Sequence, residues 1–229
     1  MDTADIAENL ADIEARIAAV CRRSGRSRDE VTLVAVSKTF PAAAVDAAVV
    51  AGIRNCGENR VQELREKHAA VLVQPRWHLI GHLQSNKAKD AIKLADVIQT
   101  IDSFELAEKV SKAATAAGKM QEVLVQVNAG DEPQKSGVPP AAAAETALRI
   151  AALPSLHVTG LMAIPPAVTA EEARPYFAAL RTLRDTLVSR MPAGFGQLSM
   201  GMSEDFEVAI EEGATMVRIG RAIFGSRTK

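Results

Sequence analysis

Lys38 closes the apolar run Val31-Thr-Leu-Val-Ala-Val-Ser-Lys38 and is followed at once by Thr39-Phe-Pro41. A run of this length, rich in β-branched residues, reads as a buried strand. The lysine amine then sits at the strand's carboxyl end, where α/β folds keep their chemistry. An ammonium there is costly to desolvate, so it must be ion-paired, shifted toward the neutral amine, or consumed by Schiff-base formation with a carbonyl. Position alone leaves two readings open: an ion pair capping a barrel interior, and a reactive amine.

Two blocks late in the chain add a second kind of chemistry. Leu198-Ser-Met-Gly-Met-Ser203-Glu-Asp-Phe and Gly213-Ala-Thr-Met-Val-Arg218-Ile-Gly220-Arg221-Ala-Ile-Phe-Gly225 each read as strand, small-residue turn and helix start. In barrels, the loops after strands seven and eight often bind a phosphate through backbone N–H groups and a hydroxyl. Ser203 and the Gly220–Arg221 amides are the candidates, although Ser203 could equally cap a helix beginning near Glu204. Arg218 shares a strand face with Met216 and Gly220. Its permanent charge calls for an inward hydrogen-bond partner, either a carboxylate or an aromatic nitrogen on a ligand. Asn59 and His82 also follow strands. His78 and His82 are four apart, but on a strand and turn, so helical zinc spacing does not apply and no metal site is expected. His78 reads as packed or hydrogen-bonded, and Lys135 as a solvated loop lysine.

These residues need a frame to bring them together. Ile6, Leu10, Ile13, Ile17 and Val20 recur at helical intervals between about Thr3 and Arg23, giving an opening amphipathic helix. Strands are expected at Val31–Ser37, Ile53–Cys56, Trp77–Gly81, Val97–Ile101, Glu122–Asn128, His157–Ala163, Gln197–Gly201 and Met216–Gly220, each followed by a helical segment. Eight βα units with short connections close into an α/β (β/α)8 TIM barrel, here with an additional N-terminal helix; a doubly wound open sheet is the competitor. Pro139-Pro140 suits a helix start, Pro165-Pro166 a rigid loop, and neither a linker, so one domain over 1–229 is expected. In Glu122–Asn128, Val123, Val125 and Val127 share one face. Leu124, Gln126 and Asn128 share the other, whose polarity rises toward the carboxyl end, as at the mouth of a barrel.

Composition narrows the function. The 229 residues are 48% hydrophobic, with 27 basic and 28 acidic side chains for a net charge of −1, so no overall field favours nucleic acid or anionic membrane. Aromatic residues are only 3%, leaving few platforms for stacking bases. Cys21 and Cys56 lack metal or disulfide spacing, Cys56 lying beside a glycine turn; a reducing cytoplasm is expected. No apolar stretch approaches the ~20 residues a bilayer span requires, and nothing directs export.

Val34-Ala-Val-Ser-Lys38, Gly57-Glu-Asn-Arg60, Trp77-His-Leu-Ile-Gly-His-Leu-Gln-Ser-Asn-Lys87, Leu198-Ser-Met-Gly-Met-Ser203 and Val217-Arg-Ile-Gly220 together resemble the pyridoxal-phosphate homeostasis proteins. The resemblance runs in order along nearly the whole chain. That family is a single-domain barrel similar to the amino-terminal domain of alanine racemases. The resemblance implies pyridoxal 5'-phosphate as cofactor, held by Lys38 as an internal aldimine. It also implies Asn59 beside the ring, Arg218 at the pyridine nitrogen, and Ser203 with the Gly220–Arg221 backbone around the phosphate. Met200 and His82 are expected to line the pocket.

Fold likeness to a racemase is not racemase activity. A protonated ring nitrogen makes the cofactor a strong electron sink, and an arginine there disfavours that state. Racemisation also needs a second acid/base opposite the lysine, which the racemases take as a tyrosine from another domain and subunit. The only tyrosine here, Tyr176, lies in Arg174-Pro-Tyr-Phe177 at an expected helix start. Cys56 or His82 could substitute, but neither has an activating partner visible in the sequence. The expectation is a cytoplasmic, non-enzymatic carrier taking part in vitamin B6 homeostasis, monomeric or weakly dimeric, delivering cofactor to pyridoxal-phosphate-dependent client enzymes. The alternatives are a small fold-type-III enzyme such as an amino-acid racemase, and a lysine-dependent aldolase acting on a sugar phosphate.

Overall fold

The opening repeat folds as α1 (Thr3–Arg23), and Ile6, Leu10, Ile13, Ile17 and Val20 are buried along one stripe. The structure, a computed structural model, describes residues 3–225 apart from Pro133; the remainder of the expected 1–229 domain lies outside the described residues. Eight strands follow in sequence: β1 (Thr32–Val36), β2 (Asn55–Glu58), β3 (Arg76–Leu79), β4 (Val97–Ile101), β5 (Gln121–Val127), β6 (Leu156–Ala163), β7 (Gln197–Ser199) and β8 (Met216–Ile219). Between and after them run α2 (Ala42–Val50), α3 (Val61–Ala70), α4 (Ala88–Leu94), α5 (Phe104–Ala116), α6 (Pro140–Ala151), α7 (Ala170–Leu187), α8 (Phe206–Glu211) and α9 (Arg221–Phe224). Every strand pairs in parallel with its sequence neighbour and β8 pairs with β1, which closes the sheet and excludes the open doubly wound alternative. α1 lies outside the barrel against α2, α8 and α9.

Strand alternation divides the interior in two. Val123, Val125 and Val127 point outward and join the large core between sheet and helices, whereas Leu124 packs with Val97 and Met162 inside the barrel. Local chemistry sets several helix starts. Thr169 and Glu172 form a reciprocal capping box on α7, and Ser103 accepts the Leu106 N–H at α5. The capping box places the start of α7 five residues before Pro175, so Tyr176 lies within the helix rather than at its beginning.

β2 runs two residues later than the apolar pattern suggests. Gly57 reads as a turn in the sequence but sits mid-strand, paired with Val36 and His78, where an added Cβ would come within 3.0 Å of Ile80 and 3.1 Å of Val34. Several strands also end one or two residues early, releasing Ser37, Gly81, Gly201 and Gly220 into the loops that build the mouth. Gly160 marks a different constraint. It lies at a register shift between β5 and β6, and an added Cβ would meet the Gln197 carbonyl oxygen at 2.0 Å. Backbone cannot swing away as a side chain can, so Gly160→Ala is expected to cost about 3 kcal/mol of stability. Gly118→Ala, in open space at a left-handed φ of 62°, should cost only about 1 kcal/mol. Urea denaturation followed by circular dichroism measures both; equal midpoints for the two variants would contradict this packing.

Candidate functional site

Strand parity carries the site. Lys38 continues the inward series of Val34 and Val36 on β1, and Arg218 and Gly220 continue that of Met216 on β8. At the carboxyl ends of the strands a cavity of about 710 Å³ opens, and Lys38, Asn59, His82 and Ser203 line it. Arg218, Gly220 and Arg221 complete the set of expected residues on its wall. Met200 is the exception. It follows inward-facing Ser199, so it points out of the barrel and is fully buried in the helix-facing core; Met202 takes the place on the cavity wall.

Arg218 forms the polar floor. It is 4% exposed, and its NH1 donates to Ser199 Oγ at 2.7 Å and its NH2 to the Ala163 carbonyl at 2.9 Å. Ser199 donates in turn to Gln99 Oε1 at 2.7 Å, and the Gln99 amide donates to His78 Nδ1 at 2.9 Å. His78 Nε2 then donates to Asn55 Oδ1 at 3.1 Å. Burial, helped by Arg76, pushes His78 down to about 3, so the ring is neutral and can accept from Gln99. Burial also pulls the guanidinium down to about 10, against the pull of Asp205, and it stays charged at neutral pH. A buried cation whose recorded hydrogen-bond partners are both neutral is suited to a neutral acceptor, such as an unprotonated aromatic nitrogen, on the cavity side.

The rim above is made by the loops after β7 and β8. α8 begins at Phe206 with Asp205 at its N-cap position, and Asp205 Oδ1 accepts the Met202 N–H at 2.6 Å. Ser203 therefore lies before the capping position and on the cavity wall. Gly201 makes this turn possible: its φ is 93°, and a Cβ would approach the Ala209 methyl to 2.6 Å. Arg221 reaches sideways to Glu204 at 2.6 Å on the exposed rim.

The opposite wall is built by the ends of β2, β3 and β4. Gly81 lies so close to Asn59 that an added Cβ would be 2.3 Å from its carbonyl oxygen, and Thr100 Oγ1 donates to the Gly81 carbonyl at 2.8 Å. His82 pairs through Nδ1 with Asp102 Oδ2 at 3.0 Å, which supplies the partner the sequence does not reveal. Asp102 follows β4 directly, so its position at a strand's carboxyl end was the available signal. Cys56 is fully buried in the helix-facing core, where burial first, and Glu58 next, push the thiol up to about 12; it has no access to the cavity. Lys135 does not extend into solvent as its loop position suggests. The Asn128 side chain donates to the Glu132 carbonyl at 2.8 Å and folds the loop back, bringing Lys135 and Ser136 onto the wall. Among the described residues, no group of three or more His, Cys, Asp or Glu is placed to hold a metal ion.

Residues 9–228 match the family model described as the alanine racemase N-terminal domain. The chain is 42% identical to the pyridoxal phosphate homeostasis protein of Aquifex aeolicus, over 96% of this chain and 97% of that one. It is 43% identical to the protein of that name from Escherichia coli K12, over 97% of each. Among solved structures, PipY of Synechococcus elongatus with PLP bound superposes with a TM-score of 0.84 at 39% identity, covering 96% of this chain and all of that one. An alanine racemase of Clostridium difficile, 15% identical over 99% of this chain and 61% of its own, shares the fold with a TM-score of 0.77. Full-length identity at this level, on a closed barrel with its polar groups gathered at one mouth, shows that the chain belongs to the pyridoxal phosphate homeostasis protein family.

Proposed function

We propose that this protein binds pyridoxal 5'-phosphate in the mouth of the barrel and holds it covalently and reversibly through Lys38, as a carrier in vitamin B6 homeostasis. The observation that carries this reading is the convergence of a lysine, a buried guanidinium and a serine–glycine rim on one cavity of about 710 Å³. That volume falls in the range of cofactor-sized pockets. The donor set fits the group chemically: an amine for an aldehyde, a permanent cation for an unprotonated ring nitrogen, and a hydroxyl with backbone amides for a phosphate. Bound there, the cofactor would supply an aldehyde that condenses with an amine and loses water, and an aromatic ring able to accept electrons.

The roles of the chain's own residues follow from their places. Lys38 supplies the amine. Arg218, braced by Ser199 and the Ala163 carbonyl, orients the ring and keeps its nitrogen unprotonated, which weakens the electron sink that transamination needs. Ser203 and the Gly220 and Arg221 amides hold the phosphate, with Asn59 and His82 beside the ring. The carrier's recipients would be pyridoxal-phosphate-dependent enzymes and its working form a monomer or weak dimer; carriage within the cytoplasm accords with two buried free thiols, and among the described residues no helix is long and apolar enough to cross a membrane. One observation favours a second reading, an amino-acid racemase: His82, on the cavity wall and paired with Asp102 behind it, could act as the second acid/base.

The purified protein should show an absorbance band that borohydride abolishes, leaving a pyridoxyl group on Lys38 by peptide mass mapping. Lys38→Ala should lose the band while retaining weaker, phosphate-directed binding; a full band in that variant would overturn the assignment of Lys38. Ser203→Ala removes a hydrogen bond to a charged group and should weaken binding roughly 10- to 100-fold by equilibrium dialysis. Deuterium exchange at the Cα of L-alanine separates the two readings. The carrier predicts none above background, and exchange that requires both Lys38 and His82 and is accompanied by conversion of L- to D-alanine would establish the racemase.

A further inference from the structure

Behind Lys38, outside the cavity, lies a buried polar cluster that the binding of a cofactor does not itself use. Lys67 on α3 donates from Nζ to the Ser37 carbonyl at 2.6 Å and forms an ion pair with Glu58 Oε1. Ser37 Oγ donates to the same carboxylate oxygen at 2.6 Å, and the Ser37 N–H donates to the Gly57 carbonyl at 3.1 Å. Ser37 and Glu58 are fully buried and Lys67 nearly so. On the other side of Lys38, Thr39 sits at a φ of 71°, a left-handed conformation that costs a branched residue energy, and its N–H donates to Glu63 Oε2 at 3.3 Å. The residues immediately before and after Lys38 are thus both held by side chains of β2 and α3.

A buried ion pair is a poor way to gain stability, since desolvation offsets most of the attraction and an apolar pair of similar volume often does as well. Glu58 shows that cost. Its Oε2 is buried without a hydrogen-bond partner among the described residues, and burial raises its pKa despite Lys67 and Ser37. What the cluster does provide is direction. Ser37 accepts from Lys67 and from the Phe40 N–H at once, so its peptide plane, and with it the exit of the chain into Lys38, has one orientation.

We propose that Glu58, Lys67 and Glu63 are positioning residues for Lys38: they clamp the peptides on either side of it and so aim its amine into the cavity. This rests on the reading of Lys38 as the attachment lysine, but the aiming itself can be measured without cofactor. The test uses the full chain, with pyridoxal phosphate removed, and the amine reagent trinitrobenzenesulfonate. Labelling of Lys38 is followed by peptide mapping against the exposed Lys112 on the same molecule.

In the double variant Glu58→Gln/Lys67→Met, which leaves no lone buried charge, Lys38 should label about fivefold faster as the amine escapes the cavity, with Lys112 unchanged. Its pyridoxyl incorporation should slow about tenfold, a fraction of the roughly 100-fold that a 1 Å misplacement of a reacting group can cost. A general loss of structure would speed both lysines together. Should the double variant fail to fold, Glu63→Ala on half-buried α3 releases the Thr39 N–H while leaving the Glu58–Lys67 ion pair in place, and should shift labelling in the same direction. Labelling of Lys38 unchanged in a folded variant overturns the positioning role. A parent protein that takes up no pyridoxal phosphate, while its Lys38 labelling still responds to these substitutions, overturns the cofactor reading and leaves the clamp standing.

Discussion

A permanent charge sealed inside a β-barrel has to be met by hydrogen bonds, and Arg218 imposes that requirement on this fold. An arginine cannot shed its proton to suit an apolar surrounding, so the surrounding must supply oxygen. Ser199 and the Ala163 carbonyl do so, and the demand passes along the interior through Gln99, His78 and Asn55. Ser199, Gln99 and His78 each give and receive, and neutral His78, tuned by burial, is fixed in one tautomer by its neighbours. The barrel therefore has a polar seam through an otherwise apolar filling of Leu124, Val97 and Met162. A satisfied network of this kind rigidifies what it touches. It delivers to the cavity floor a guanidinium that cannot wander.

Opposite that fixed cation, the geometry of the closed parallel sheet does the rest. Every strand ends at the same rim, so side chains far apart in sequence, Lys38 after β1 and Ser203 after β7, line one cavity. Glycines set how closely the loops approach one another: Gly81 lets the chain rest on Asn59, and Gly201 lets the β7 turn press onto α8. The reading as a carrier and the reading as an enzyme share all of this. They divide only on what His82 and Asp102 do, and on whether an arginine at the ring leaves enough electron demand for chemistry.

Much of this was legible in the sequence because it depends on period and placement. The eight apolar runs alternate with helical segments, and parity along Met216, Arg218 and Gly220 is a property of any strand, so the barrel and the inward arginine follow from the pattern alone. What could not be read depends on contacts between distant segments. Gly57 carries no local sign that it belongs in β2; only the approach of Ile80 and Val34 explains it. Met200, by contrast, was readable by the same parity rule, since it shares a strand face with Leu198 and so belongs to the core. Lys135 becomes part of the wall through the hold of Asn128 on its loop, and Asp102 gains meaning only once β3 and β4 bring it to His82.

The most direct test of the account is a crystal structure of the protein grown with pyridoxal phosphate. The account predicts density continuous with Lys38 Nζ, the ring nitrogen within hydrogen-bond reach of the Arg218 guanidinium, and the phosphate against Ser203 and the Gly220 and Arg221 amides. Cofactor density elsewhere on the molecule, or in this cavity with the phosphate turned toward Arg218 and Lys38 unattached, would contradict it.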